Sequence, residues 1–286
     1  MLSRRAYFFA GIVGNHLYAV GGKFKDGSLA SAECYDPDTN HWELVSPMPS
    51  AYHSHAGAVY ADRIYISGGY SNNHFTPDLQ RFDTSQWEDM APMLTPRGWH
   101  VMAAVGERLI VAGGCNLNTS QQALPVLQAE SYDPAVDQWT LIAPLAVSHK
   151  EASCVVYHRQ IYILGGYNVQ TKTGQRAVSR YDAEAGAWEQ IGALPVSQTG
   201  VGYCVLALPT YNLDLFDWLA VTASFSKSAS IPSGHSIDAD AAHLLLCCGP
   251  DSRSDAIATP IVSSLLKSKI MVSLTQIVRE KRPLND

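Results

Sequence analysis

The sequence predicts an all-β propeller of four four-stranded antiparallel blades, followed by an irregular C-terminal tail. Three observations predict it. A glycine pair recurs at Gly21-Gly22, Gly68-Gly69, Gly113-Gly114 and Gly165-Gly166; from 21 to 68, 68 to 113 and 113 to 165 the steps are 47, 45 and 52 residues. After each pair comes an aromatic-Asp step, at Tyr35-Asp36, Phe82-Asp83, Tyr132-Asp133 and Tyr181-Asp182, and then a tryptophan, Trp42, Trp87, Trp139 and Trp188. Before each pair lies a run rich in β-branched and aromatic residues, such as Ile64-Tyr65-Ile66 and Ile161-Tyr162-Ile163. Self-similarity at a fixed period marks a repeat architecture in which each unit buries its faces only against its neighbours.

The elements of each repeat follow from its chemistry. An inner strand (7–13, 55–60, 101–105, 153–157) precedes the strand that ends in the glycine pair. Short polar turns such as Ala61-Asp62-Arg63 and Gly106-Glu107-Arg108 join the two as hairpins. The glycines accept positive φ and let backbone approach closely. The aspartates Asp36, Asp133 and Asp182 can bond their own turn and so end the third strand. Each tryptophan opens the fourth strand and is large enough to wedge between sheets.

Blade one is expected over 1–47, blade two over 48–92, blade three over 93–144 and blade four over 145–195. The Arg4-Arg5 pair and the apolar stretch 6–13 resemble a signal peptide, but Met1 to Gly22 aligns without a gap on Met93 to Gly114. The stretch therefore reads as an inner strand, and the chain as beginning within a propeller. One further inner strand, 200–208, closes the repeat region 1–208; blade one already holds an inner strand, which leaves it without an evident place. The tail, 209–286, reads mostly as loop, with Ser-rich segments at 224–232 and 249–254 and a short apolar run at 244–248. Leu266, Ile270, Leu274 and Ile277 predict a helix over 263–281.

Composition narrows the function. A net charge of −6 and 47% hydrophobic residues, with no basic run in the repeats, argue against nucleic-acid binding and for a folded core. No segment has the length to span a bilayer. The six cysteines show no zinc spacing; Cys34, Cys154 and Cys204 read as buried reduced thiols in a cytoplasmic, reducing compartment. His53, His55, His74 and His100 lie on scattered loops with no metal geometry and read as solvated or capping residues. No catalytic motif is present, so no catalytic residue, metal or cofactor is assigned, and the chain reads as a non-enzyme.

The Arg-x-x-His/aromatic lead-in, strand-Gly-Gly, Tyr-Asp-Pro, Trp and Pro-Met/Leu-Pro segments together resemble the kelch-like proteins that carry BTB, BACK and kelch regions. The likeness covers about 1–208. It implies a protein-interaction module, the substrate-recognition propeller of a cullin-3 ubiquitin ligase adapter; the alternative is an actin-binding cytoskeletal scaffold. In that family six blades follow a BTB domain, which binds cullin-3, and a BACK domain. Neither stands in this sequence, and four repeats stand in place of six. The chain is therefore expected to be a short isoform or internal-start product, incomplete relative to a six-bladed ring, that engages cullin-3 only through the absent BTB domain.

By the same resemblance, partner contacts lie on the face made by the segments after each glycine pair and those leading into each inner strand. Fourteen residues before each first glycine stand Tyr7, Ser54, Trp99 and Glu151. Directly after each pair come Lys23, Tyr70, Cys115 and Tyr167, in loops 24–31, 71–78, 116–128 and 168–177. Arg97 and Lys150 are placed to grip acidic groups, and the aromatics supply contact area.

Overall fold

The computed structural model describes residues 1–25, 27–208, 242–248 and 270–273, all of them strand, turn or irregular backbone. The chain divides into one unit over Met1–Thr199 and a second over Gly200–Asp286.

The first unit holds four four-stranded antiparallel sheets, each with its strands in sequence order from inside to outside. Blade one is Phe9–Val13, His16–Val20, Ala32–Asp36 and His41–Val45. Blade two is Ala56–Tyr60, Arg63–Ser67, Leu79–Phe82 and Trp87–Met90. Blade three is Val101–Val105, Arg108–Ala112, Ala129–Asp133 and Gln138–Ile142. Blade four is Ser153–Tyr157, Gln160–Leu164, Ala177–Asp182 and Ala187–Ala193.

The hairpins have the predicted chemistry. Ala61 and Asp62 both take positive φ, at 49° and 54°, the two-residue turn whose twist matches its flanking strands. His158 and Arg159 repeat it at 47° and 59°. At the outer turns, Asp83 Oδ1 accepts the N–H groups of Ser85 and Gln86, each at 2.9 Å. Those bonds hold the Asp83 carboxyl down to about 2, the Gln86 N–H acting most strongly. Asp36, Asp133 and Asp182 likewise accept N–H groups two residues on, at 2.8, 2.9 and 2.9 Å.

The core is a set of seams between blades. Tyr18, Val20 and Cys34 of blade one meet Ile64, Ile66 and Phe82 of blade two. Tyr65 and Leu79 of blade two meet Leu109, Val111 and Tyr132 of blade three. Val101, Ala103 and Ile110 of blade three meet Ile161, Ile163 and Tyr181 of blade four. Each tryptophan ring lies against the aromatic of its own aromatic-Asp step, at centroid distances between 4.8 and 5.2 Å. Two also stitch seams: Trp87 Nε1 donates to Ser46 O at 2.9 Å and Trp139 Nε1 to Ala91 O at 2.7 Å, each in the preceding blade. Cys34 and Cys115 are buried free thiols, while Cys154 is half-buried; the expectation for the Cys204 thiol lies outside the described side chains.

In the second unit, Gly202–Leu208 pairs antiparallel with Ala242–Cys248, which pairs in parallel with Ile270–Ser273. The strand expected at 200–208 thus has a ladder partner from the tail. The helix expected over 263–281 is corrected where it is described, because Ile270–Ser273 is a strand. A short apolar run such as Ile270-Met271-Val272 fits either period, and two of its three residues are β-branched. The rest of that span lies outside the described residues, as do the loops expected at 224–232 and 249–254.

Candidate functional site: the rim

The rim is built from two recurring pieces, the segment leading into each inner strand and the segment after each glycine pair. In the first, the residue fourteen positions before the glycine pair is left-handed in every blade. Tyr7, Ser54, Trp99 and Glu151 have φ of 54°, 58°, 53° and 53°. Non-glycine residues visit this region at a cost, so four in register mark a demanded geometry. The demand is visible in the backbone: Ser54 N donates to Tyr7 O at 2.9 Å, Trp99 N to Ser54 O at 2.7 Å and Glu151 N to Trp99 O at 2.9 Å. These bonds run from blade to blade and lace the rim into one line.

In the second piece, the residue after each glycine pair bridges back to its own lead-in, Lys23 to Ala6, Tyr70 to His53, Cys115 to Gly98 and Tyr167 to Lys150. The second glycine of each pair donates to the next lead-in, for example Gly114 N to His149 O at 2.9 Å. The fit is tight: a Cβ on Gly113, whose φ is 74°, would stand 2.6 Å from His149 O. The segments expected as loops after the pairs are in fact small two-stranded ribbons, such as Tyr70–Ser71 with His74–Phe75 and Cys115–Leu117 with Ala123–Pro125. Asn72 and Asn73, both at positive φ, turn the former.

Of the predicted rim residues, Tyr7 is 54% exposed, while Lys23, Tyr70, Trp99, Lys150, Glu151 and Tyr167 are half-buried. The structure brings several of them into one aromatic track. His53 lies 5.4 Å from Tyr70 and 6.4 Å from both Tyr7 and Trp99. Tyr70 stacks on Trp99 at 6.5 Å, and Phe75 meets Trp99 edge-on at 5.4 Å. Lys150 Nζ sits 4.2 Å from the centre of the Trp99 ring, 5.6 Å from that of Tyr167, and 2.9 Å from Glu151 Oε1. His53 and Phe75 were not among the residues predicted for the rim. Burial, and then the charge of Lys23, hold the His53 imidazole below its ordinary pKa, so at neutral pH it contributes an uncharged ring.

Two assignments are corrected. Arg97 is no surface grip: it is fully buried and ion-paired with Glu130, and its Nη1 donates to Gln128 O at 2.7 Å. Glu130 in turn accepts the N–H groups of Leu94 and Thr95 at 2.7 and 3.1 Å. Arg5 and Glu33 repeat this arrangement in blade one at 2.5 Å. Cys115 is also fully buried, and burial pushes its thiol up to about 11. Ser54 shapes the rim through its backbone, its side chain being 4% exposed and 2.9 Å from His53 Nδ1.

Of the histidines expected to be solvated or capping, His74 is exposed, its Nδ1 3.2 Å from Asn72 O, whereas His53, His55 and His100 are buried. His55 Nε2 meets Val20 O at 3.1 Å across the first seam, and His100 Nε2 meets Ser67 Oγ at 2.9 Å across the second. Burial lowers both imidazoles, His55 to about 4.

Comparison with known proteins places this geometry. The KLHDC2/KLHL20/DRC7 Kelch-repeats domain matches residues 7–205. Kelch-like protein 36 of Mus musculus is 39% identical over 213 residues, 73% of this chain and 35% of the relative. Kelch-like protein 26 of Homo sapiens is 42% identical over 211 residues, 73% of this chain and 34% of the relative. The chain thus spans about a third of the length of the curated relatives it matches. Among solved structures, that of YjhT superposes with a TM-score of 0.51 at 17% identity, covering 56% of this chain and 57% of the other; it bears on the fold alone. With the repeat region matched from its first inner strand to its last, this chain belongs to the kelch-repeat family and is similar to its kelch-like members.

Proposed function

We propose that this chain is a protein-interaction module whose partner docks on the rim, and that in a longer kelch-like protein it serves as the substrate-recognition propeller of a cullin-3 ubiquitin ligase adapter. The observation that carries the reading is the convergence of Tyr7, His53, Tyr70, Trp99 and Lys150, drawn from four successive blades, on one track. Aromatic and cationic side chains held by a rigid scaffold are the usual anchors of protein interfaces. Cullin-3 itself would meet a BTB domain outside this chain. The free buried thiols Cys34 and Cys115 support a reducing, cytoplasmic setting.

Photo-crosslinking in cells tests the reading, with p-benzoylphenylalanine in place of Tyr7 at the rim or of Val136, 59% exposed in an outer turn of blade three. A discrete adduct from position 7 that position 136 does not give is the expected result. Equal adducts from both positions, or none from position 7, would overturn it. Ubiquitination of the captured protein that depends on cullin-3 then tests the ligase role.

A further inference from the structure

We propose that the segment taken by this rim is an extended acidic peptide, with carboxylates at Lys23 and Lys150 on either side of an apolar or proline-containing stretch laid over Tyr70 and Trp99. The inference rests on the rim reading above and adds the chemistry of the occupant.

Charge is segregated between the two ends of the blades. The chain carries a net −6, yet its acids gather in the outer turns, at Asp36, Asp38, Asp83, Asp133, Asp137 and Asp182. Several of these accept their own turn's N–H groups and are structural. The rim segments carry Lys23, Lys25, Lys150 and Lys172 instead. Among their described residues the carboxylates are Asp78, bonded to the Tyr52 hydroxyl, and Glu151, paired with Lys150; Asp26 follows Lys25 in sequence. The buried pairs Arg5–Glu33 and Arg97–Glu130 are internally neutral. A cationic face on an otherwise acidic body draws acidic segments and turns away basic ones.

The track also sets the occupant's shape. It passes from Lys23, bridged to Ala6 beside Tyr7, through His53, Tyr70 and Trp99 to Lys150 and Tyr167, and so crosses all four blades. A track that crosses four blades suits an extended chain better than one side chain. Lys150 is already held over Trp99 and Tyr167, so little side-chain freedom remains to be lost on binding.

Selection of phage-displayed random peptides on the whole chain tests this, followed by titration of a selected peptide, its Asp/Glu→Asn/Gln counterpart, and the variants Lys23→Glu, Lys150→Glu and Arg108→Glu, each checked for folding by circular dichroism. Arg108 pairs with Asp133 at the opposite end and serves as the control. The expected outcome is enrichment of Asp and Glu, affinity that falls with salt, and a loss of about tenfold for each lysine reversal with none for Arg108→Glu. Neutral or basic sequences that still lose affinity on Lys150→Glu would overturn the acidic occupant while leaving the rim reading in place. Absence of any selected peptide, or binding indifferent to both lysines, would overturn the inference outright; the crosslink from position 7 decides the rim reading separately.

Discussion

Replacing Glu130 by Ala removes the carboxylate that is ion-paired with Arg97, in a place water does not reach. Both side chains have no exposed surface. Leaving a buried charge uncompensated costs about 3–5 kcal/mol. Glu130 also satisfies the N–H groups of Leu94 and Thr95, and each orphaned donor adds about 1 kcal/mol unless water fills the space left behind. A loss of about 5–7 kcal/mol follows, comparable to the whole stability of many domains. Urea unfolding followed by tryptophan fluorescence reads it. A double-mutant cycle separates charge from packing: Glu130→Leu is expected to be rescued by about 2 kcal/mol or more when Arg97→Met is added, because no charge then remains to strand. A cost below about 1 kcal/mol for Glu130→Ala, or strict additivity in the cycle, would show that Arg97 is not stranded by the loss of Glu130. Trp99 follows Arg97 by two residues, so the same variant is expected to loosen the rim.

Three further outcomes follow from the seams. His55, His100 and His149 are buried with lowered pKa values; the native state therefore binds fewer protons than the unfolded chain. Their contribution is complete above the unfolded value near 6.5 and is lost as pH falls, for His55 over the window down to about 4. At pH 5.5 His55 is expected to have cost about 1 kcal/mol, read as a falling urea midpoint, and His55→Gln should flatten that slope. Gly113→Ala drives a Cβ into His149 O from a left-handed φ, whereas Gly14→Ala, at φ 58° with nothing within 4 Å, meets only backbone strain. A melting temperature lowered much further by the first than by the second is expected, and equal shifts would show that close approach does not matter. Trp139→Phe keeps most of the ring but loses the bond to Ala91 O, for a loss of about 1–2 kcal/mol in the same urea assay.

The blades were legible because each demands the same few residues at the same places. Gly-Gly needs left-handed backbone and close approach, the turn Asp needs a carboxylate, and the seam needs a Trp; four copies make each demand visible. The left-handed rim line was also traceable by spacing, since Tyr7, Ser54, Trp99 and Glu151 share one offset although nothing in their types announces it. Arg97 was misplaced because its partner Glu130 lies two strands away and only the fold brings them together. The repeats themselves hold a signal for that pairing. Arg5–Glu33 and Arg97–Glu130 recur together, while blade four replaces both positions at once with His149 and Ser179, 2.8 Å apart. His53, read as a solvated or capping residue, and Phe75, placed only within the loop 71–78, were not assigned to the rim because neither type recurs at its position from blade to blade. The ribbons escaped because two residues are too few for a strand pattern. In the tail, one apolar run at 270–273 fitted two periods, and sequence alone could not choose between them.

The rim is a line of backbone that ties blade to blade and so holds the docking side chains in register. Amide hydrogen exchange at Ser54, Trp99 and Glu151 tests this most directly. Protection of all three as a set, at the level of the inner strands at Val101–Val105, is the predicted result; exchange as fast as that of the exposed ribbon turn at Asn72 and Asn73 would contradict it.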